Sequence, residues 1–251
     1  MVILFFALGA IVASFVGVVV ARLNTWSSFV TGRSRCDACN AALSDSALVP
    51  IVAYVVSRGR ARCCGAKISV AAPLTELLLA VLFAASYLKL GLTTSLPLLL
   101  VELSLLLALV LYDLSHQILP PVMLYPFVAV AVTFRSVVAE SATEVTNALI
   151  AAGVVGLVFL AMHLFSRGRA MGFADTPLAF GLSLLVGPAL SFAGVCFSFW
   201  IGAAIGITIL LRRPRGSRMG IEVPFAPFLA AGFLLAYYVI PWNPLYLLIT
   251  S

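Results

Sequence analysis

Two aspartates, Asp113 in LYDLSHQILPP and Asp175 in GFADTP, stand at the margins of long apolar runs. A charged side chain at the centre of a membrane helix costs about 2.5–3.5 kcal/mol on insertion scales and less near the ends, so an acid kept beside such a run is a candidate for function. Two carboxylates held near one water can divide the work of peptide hydrolysis. One, ionised, takes a proton from the water; the other, protonated, donates to the carbonyl oxygen, and mutual repulsion keeps the two from ionising together. This is aspartyl protease chemistry, and it needs no metal, serine or cysteine nucleophile. Each residue also has a plainer reading: Asp113 as a solvated helix end, Asp175 as the N-cap of the helix that follows it. Gly172 permits an unusual backbone turn before Asp175, and Pro177 suits the first turn of a helix, where a missing amide donor costs nothing. Glu76 and Glu102 are the other acids at or within apolar runs. His116 reads as a hydrated loop histidine or a group that steadies Asp113; His163 has no partner visible in the sequence.

A second group able to do chemistry lies between residues 23 and 70, in RCDACN and RARCCGAKIS. Cys36 and Cys39 form a C-x-x-C, a spacing that lets two thiolates face one tetrahedral metal, and Cys63 and Cys64 follow at the distance of the second half of a zinc ribbon. That half is irregular, because Ala61 stands where a second C-x-x-C would begin. Three readings stay open: a structural zinc, a redox-active dithiol, or inert cysteines. Disulfides are disfavoured if the loop is cytosolic. Within the same loop, ALVPIVAYVVS is apolar but too short to span a bilayer.

The elements that must position these residues are membrane helices. The chain has 251 residues, 63% of them hydrophobic and 10% charged, with a mean hydropathy of +1.17; a soluble domain carries about 25% charged residues. Apolar runs long enough to span occur near residues 2 to 21, 72 to 92, 95 to 112, 119 to 138, 146 to 165, 174 to 190, 193 to 211 and 225 to 249. The expected fold is therefore an all-α polytopic membrane protein of about eight transmembrane helices, with a cytoplasmic cysteine-containing loop after the first. The count depends on Gly187-Pro188 being a turn and not a kink. Residues 1–70 form the first helix and its loop, and residues 71–251 the remaining membrane domain.

Lysine and arginine collect in cytoplasmic loops. With the N-terminus outside, all but Lys89 and Arg135 of the fifteen cations fall on the inner side. The same topology brings Asp113, at the inner end of the third span, and Asp175, at the inner start of the sixth, to one membrane depth, and lets these two helices pack together. The net charge of +6 is then explained by topology and anionic lipid headgroups, so no nucleic-acid partner is expected. The first apolar run lacks a basic segment before it and reads as a retained helix, not a signal peptide.

These motifs, in this order, resemble the type IV prepilin peptidases, bacterial membrane aspartyl proteases also called leader peptidase/methyltransferases. GAIVASFVGVVVARL is similar to their first-helix motif, CDAC and RCCGAKIS to their cysteine loop, and APLTELL to the segment after it. YDLSHQILP and MGFAD are similar to their two aspartate motifs, and VPFAPFLAAG to their Pro-Phe-x-Pro-Phe element. The resemblance covers nearly the whole chain. It implies that Asp113 and Asp175 are catalytic, that Cys36, Cys39 and Cys64 are zinc ligands, and that Glu76 matters. It also implies a prepilin or pseudopilin substrate, cut after a glycine behind its basic leader at the inner face of the bacterial cytoplasmic membrane, and methylation of the new N-terminus with S-adenosylmethionine. The chain departs from the family pattern at Gly17, Ala61, Ala174 and Thr176-Pro177, the last replacing the usual Val-Lys. Asp37, Asp45 and Glu222 are the acids suited to receive a basic leader.

Two other classes compete. A transporter or proton channel would use paired intramembrane acids as a relay, but near the midplane and beside broken helices. A non-catalytic scaffold would use the cysteine loop to bind partners. The oligomeric state is not legible in the sequence.

Overall fold

In hydrocarbon every backbone N–H and C=O must be satisfied within the protein, which leaves long apolar runs no choice but helix. The computed structural model describes residues 1–23, 36, 38–42, 50–169, 171–212 and 223–240. Their regular structure is helical, apart from an isolated bridge between Arg60 and Lys67. In chain order the helices are α1 (Val2–Arg22), α2 (Val52–Val56), α3 (Ala71–Leu90), α4 (Leu96–His116), α5 (Pro121–Val138), α6 (Ala142–Ser166), α7 (Asp175–Val186), α8 (Pro188–Arg212) and α9 (Ala226–Tyr238). Each expected span overlaps one helix, and the described residues form a multi-pass, all-helical membrane protein. Six of the helices are long and apolar enough to cross a bilayer; α7 and α9 are shorter. The stretch 241–249, expected to complete the last span, lies outside the described residues, as do Asp37, Asp45 and Glu222.

Several boundaries differ from the apolar runs for local reasons. Helix α4 continues one turn beyond Asp113 to His116 and stops at Gln117, whose φ of 56° is left-handed. Helix α6 starts ahead of its apolar run because Ser141 caps it, its hydroxyl accepting from Glu144 N at 3.3 Å, while the Glu144 carboxylate accepts from Glu140 N at 3.1 Å. Gly187, at φ +83°, ends α7 and α8 begins at once with Pro188. Gly187-Pro188 is therefore a turn.

Two compact units divide at Leu96. In the first, α1 packs along α3. Gly9 makes this approach close: a Cβ there would sit 2.7 Å from Ala80 Cα, the small-residue contact by which membrane helices gain dispersion energy. Phe5 stacks on Tyr87 with ring centroids 4.8 Å apart.

In the second unit α7 is central, packing on α5, α6, α8 and α9. It is apolar all round and almost wholly buried, from Leu178 to Val186, as a core helix should be. Small residues bring its neighbours near: Ala131 of α5 and Ala148 and Ala152 of α6 cluster with its Leu184. Helices α8 and α9 are joined by Ser198, whose hydroxyl donates to Gly194 O at 2.7 Å in its own helix and to Leu229 O at 3.2 Å in the next.

Candidate active site and cysteine cluster

Helix α4 delivers Asp113 and the start of α7 delivers Asp175; both are buried, at 6% and 7% exposure. The two carboxylates lie close enough to interact electrostatically. Each commits its Oδ2 to a backbone N–H. Asp113 accepts from Ala226 N at 3.3 Å, and Asp175 accepts from Gly172 N at 3.0 Å.

The first bond explains the Pro-Phe-x-Pro-Phe element. Ala226 opens α9, and Phe225, the N-cap residue, provides no side-chain hydrogen bond. Asp113 takes the place of the missing cap from another helix. Phe225 is fixed there by Phe159 of α6 and Phe199 of α8, with centroids 6.3 and 5.5 Å away; such pairs contribute about 0.5–1.5 kcal/mol each beyond area burial. Asp113 thus reaches the site through the start of α9, while the packing partners of α7 are the four helices named above.

Asp175 is not the N-cap of α7. It is the first helical residue, after Ala174, and its side chain turns back to the 171–173 segment. Gly172 acts through its N–H and not through an unusual backbone, since its φ is not positive. His163, which showed no partner in the sequence, has one here: Nδ1 donates to the Met171 carbonyl at 2.9 Å, and its ring meets Phe173 edge-on at 5.8 Å. The turn before Asp175 is therefore held from α6 on one side and by the carboxylate on the other. His116 stacks on Tyr112 at 4.3 Å. Pro177 stands in the first turn of α7, as expected.

In the first unit the four sulfurs of Cys36, Cys39, Cys63 and Cys64 all lie within 4.8 Å of one another. Cys36 and Cys64 are 3.8 Å apart, Cys39 and Cys63 3.3 Å, and Cys63 and Cys64 3.9 Å. Tetrahedral zinc with bonds of about 2.3 Å needs sulfurs about 3.8 Å apart, so the donor set fits that ion. The two halves share one turn. Cys36 N donates to Ala41 O and Asn40 N to Cys36 O; likewise Ala61 N donates to Ala66 O and Gly65 N to Ala61 O. Ala61 thus occupies the place of Cys36, Cys64 that of Cys39, and the Cys63 sulfur fills the corner that Ala61 leaves. Backbone N–H groups of Ala38 and Cys39 hold the Cys36 thiol down to about 7, and hydrogen bonding to Cys39, then to Cys36, pushes Cys63 up to about 12. Four adjacent sulfurs do not all ionise without a cation among them. Glu76 accepts from Ile51 N at 2.7 Å and pins the short helix α2 to α3; Ile51 itself is held at φ 60°.

The family models match on this division of the chain. Residues 7–90 match the Bacterial Peptidase A24 N-terminal domain and residues 100–207 the Type IV leader peptidase family. A prepilin leader peptidase/N-methyltransferase of Aeromonas hydrophila is 31% identical over 208 residues, 80% of this chain and 70% of that protein. The chain belongs to the type IV leader peptidase family.

Within that family it is also similar to proteins of the same name from Bacillus subtilis, 29% identical over 92% of both chains, and Myxococcus xanthus, 35% identical over 84% of this chain and 63% of that one. No solved structure matches it. Both aspartates fall in the leader peptidase match and all four clustered cysteines in the N-terminal one. Of the chain's departures from the expected motifs, two sit without strain and one does not. Ala174, at φ −68°, sits unstrained; a Cβ at Gly17 would meet nothing within 4 Å; and the Thr176 hydroxyl is buried without a partner among the described residues.

Proposed function

We propose that this chain is a membrane aspartic endopeptidase that removes the basic leader of type IV prepilins or pseudopilins, with Asp113 and Asp175 as its catalytic pair. The observation that carries the reading is the pairing itself: two buried carboxylates from different helices, within electrostatic reach, each oriented by one backbone N–H. With Oδ2 of each committed, the ionised partner removes a proton from water as the water attacks the scissile carbonyl carbon, and the protonated partner donates to the carbonyl oxygen. Proton return to the departing amine completes the cut.

The arginine distribution supports an N-terminus outside the bacterial cytoplasmic membrane and a site at its inner face, where a leader emerges while the substrate's apolar helix stays in lipid. Membrane lipids are then the second partner. In this reading residues 1–70 carry a zinc knuckle held by Cys36, Cys39, Cys63 and Cys64, and residues 71–251 carry peptide cleavage. Zinc there locks the loop and takes no part in hydrolysis. Methylation of the new N-terminus by S-adenosylmethionine follows from the name its relatives bear.

The test is mass analysis of a prepilin from the same organism after incubation with the purified enzyme. Loss of the leader mass is expected, with an added methyl when S-adenosylmethionine is supplied. An intact substrate across the organism's own prepilins would overturn the peptidase reading; cleavage without methylation would overturn only the second activity.

A further inference from the structure

Arg135 is one of the two cations that break the inward charge bias, and the structure gives it other work. Its Nε donates to Leu184 O at 2.8 Å and its Nη2 to Leu185 O at 3.0 Å. These are terminal carbonyls of α7, which have no partner inside the helix. The preceding one, Ser183 O, accepts from Gly187 N at 3.0 Å. Gly187 leaves the room: a Cβ on it would lie 2.8 Å from Arg135 Nη2.

The length of α7 explains why a cation is needed. Twelve residues at 1.5 Å each make a helix of about 18 Å, well short of a hydrocarbon core of about 30 Å. With Asp175 at one margin, the other end of α7 stops inside the apolar layer, where open carbonyls cost several kcal/mol each. Arg135 supplies the donors that water supplies elsewhere.

A buried carboxyl of α4 lies within electrostatic reach of it. Glu102 is completely buried, neither of its oxygens has a hydrogen-bond partner among the described residues, and it interacts electrostatically with Arg135 and with Tyr237 of α9. Glu102 lies about 16 Å up α4 from Asp113, and Leu185 about 15 Å up α7 from Asp175, at 1.5 Å per residue. The guanidinium thus binds α7 about as far from Asp175 as Glu102 stands from Asp113.

We propose that Arg135 is a positioning residue for the peptidase: by binding the last carbonyls of α7, it fixes the depth at which α7 presents Asp175 to Asp113. This rests on the paired-aspartate reading. A misplacement of about 1 Å at a reacting group is enough to cost a hundredfold in rate.

The experiment measures kcat and KM for prepilin cleavage, and thermal unfolding, of the full-length purified enzyme. Arg135→Met is expected to lower kcat about tenfold to a hundredfold with KM little changed. It also leaves the last carbonyls of α7 without their donors and lowers stability. Arg135→Met/Glu102→Leu also removes the buried carboxyl that lacks a hydrogen-bond partner among the described residues; it is expected to raise the unfolding temperature above that of the single variant and not to recover kcat. Recovery of both would show that Arg135 only balances charge and would overturn the proposal, as would wild-type kcat in Arg135→Met. If the single variant does not fold, the double variant decides alone. Asp113→Asn and Asp175→Asn run alongside: if they still cleave, the catalytic pair itself is wrong, whereas their inactivity beside an unaffected Arg135→Met rejects the positioning role alone.

Discussion

Asp113 Oδ2 accepts the backbone N–H of Ala226 at 3.3 Å across 113 residues of sequence, so the carboxylate near the end of α4 also closes the start of α9. The capping role and the proposed catalytic role therefore meet in one side chain, and substitutions separate them. Asp113→Ala removes the cap as well as the acid and is expected to cost about 1–2 kcal/mol of stability. Asp113→Asn keeps an acceptor oxygen and is expected to unfold near the wild-type temperature while losing activity. Thermal unfolding of the two inactive variants in detergent checks this.

Gly172 serves Asp175 through its N–H and not through its lack of a side chain. A Cβ there would meet only Asp175 Oδ2, at an ordinary 3.5 Å. Gly172→Ala is therefore expected to retain most of the cleavage rate. Gly172→Pro deletes the donor and is expected to lose roughly tenfold or more, in line with a charge-assisted hydrogen bond of about 1.5–3 kcal/mol. Equal rates in the two variants would remove Gly172 N–H from the site.

His163 holds the same turn from the other side through Nδ1 and the Met171 carbonyl. An asparagine amide places its nitrogen near that of Nδ1, so His163→Asn is expected to keep kcat within about threefold, whereas His163→Phe keeps the ring against Phe173 but not the donor and falls further, consistent with a neutral hydrogen bond of about 1 kcal/mol. Steady-state cleavage rates distinguish the two.

The cysteine cluster yields a prediction with a rescue. Cys63→Ala is expected to lose bound zinc, and Ala61→Cys/Cys63→Ala to regain it, because Ala61 occupies the turn position that Cys36 holds in the first half. Metal analysis of the purified proteins reads this directly. Zinc ligands must be thiolates, so metal binding gains with rising pH. The Cys36 thiol is held down to about 7, so it is ionised above that value and its contribution is lost as pH falls through it; zinc retention is expected to decline on the acid side of neutrality. Retention unchanged into acid would contradict a thiolate site.

Much of this was legible in the sequence because apolar runs near twenty residues have one structural solution in lipid, and because Asp113 and Asp175 stand at the ends of two such runs; the expected packing of their two helices on each other was not found, since α7 packs on α5, α6, α8 and α9. A break at Gly187-Pro188 was legible from residue type, but turn or kink was decided only by the positive φ of Gly187 and the start of α8 at Pro188. What escaped was long-range and backbone-mediated. No spacing rule links Asp113 to the N–H of Ala226, and His163 bonds a carbonyl, which any residue would supply. The second half of the cysteine set looked irregular because the role of Ala61 depends on a hydrogen-bonded turn, not on a count of intervening residues. Arg135 looked like an outer-loop exception because a helix too short for the bilayer cannot be inferred until its end is located.

The measurement that goes furthest is cleavage of a prepilin from the same organism by wild-type enzyme, Asp113→Asn and Asp175→Asn, each shown to be folded by its unfolding transition. Both variants are expected to lose cleavage by roughly 10²–10⁴-fold, the span of a lost general acid or base, with wild-type stability. Full processing by either folded variant would contradict a mechanism built on the two carboxylates together.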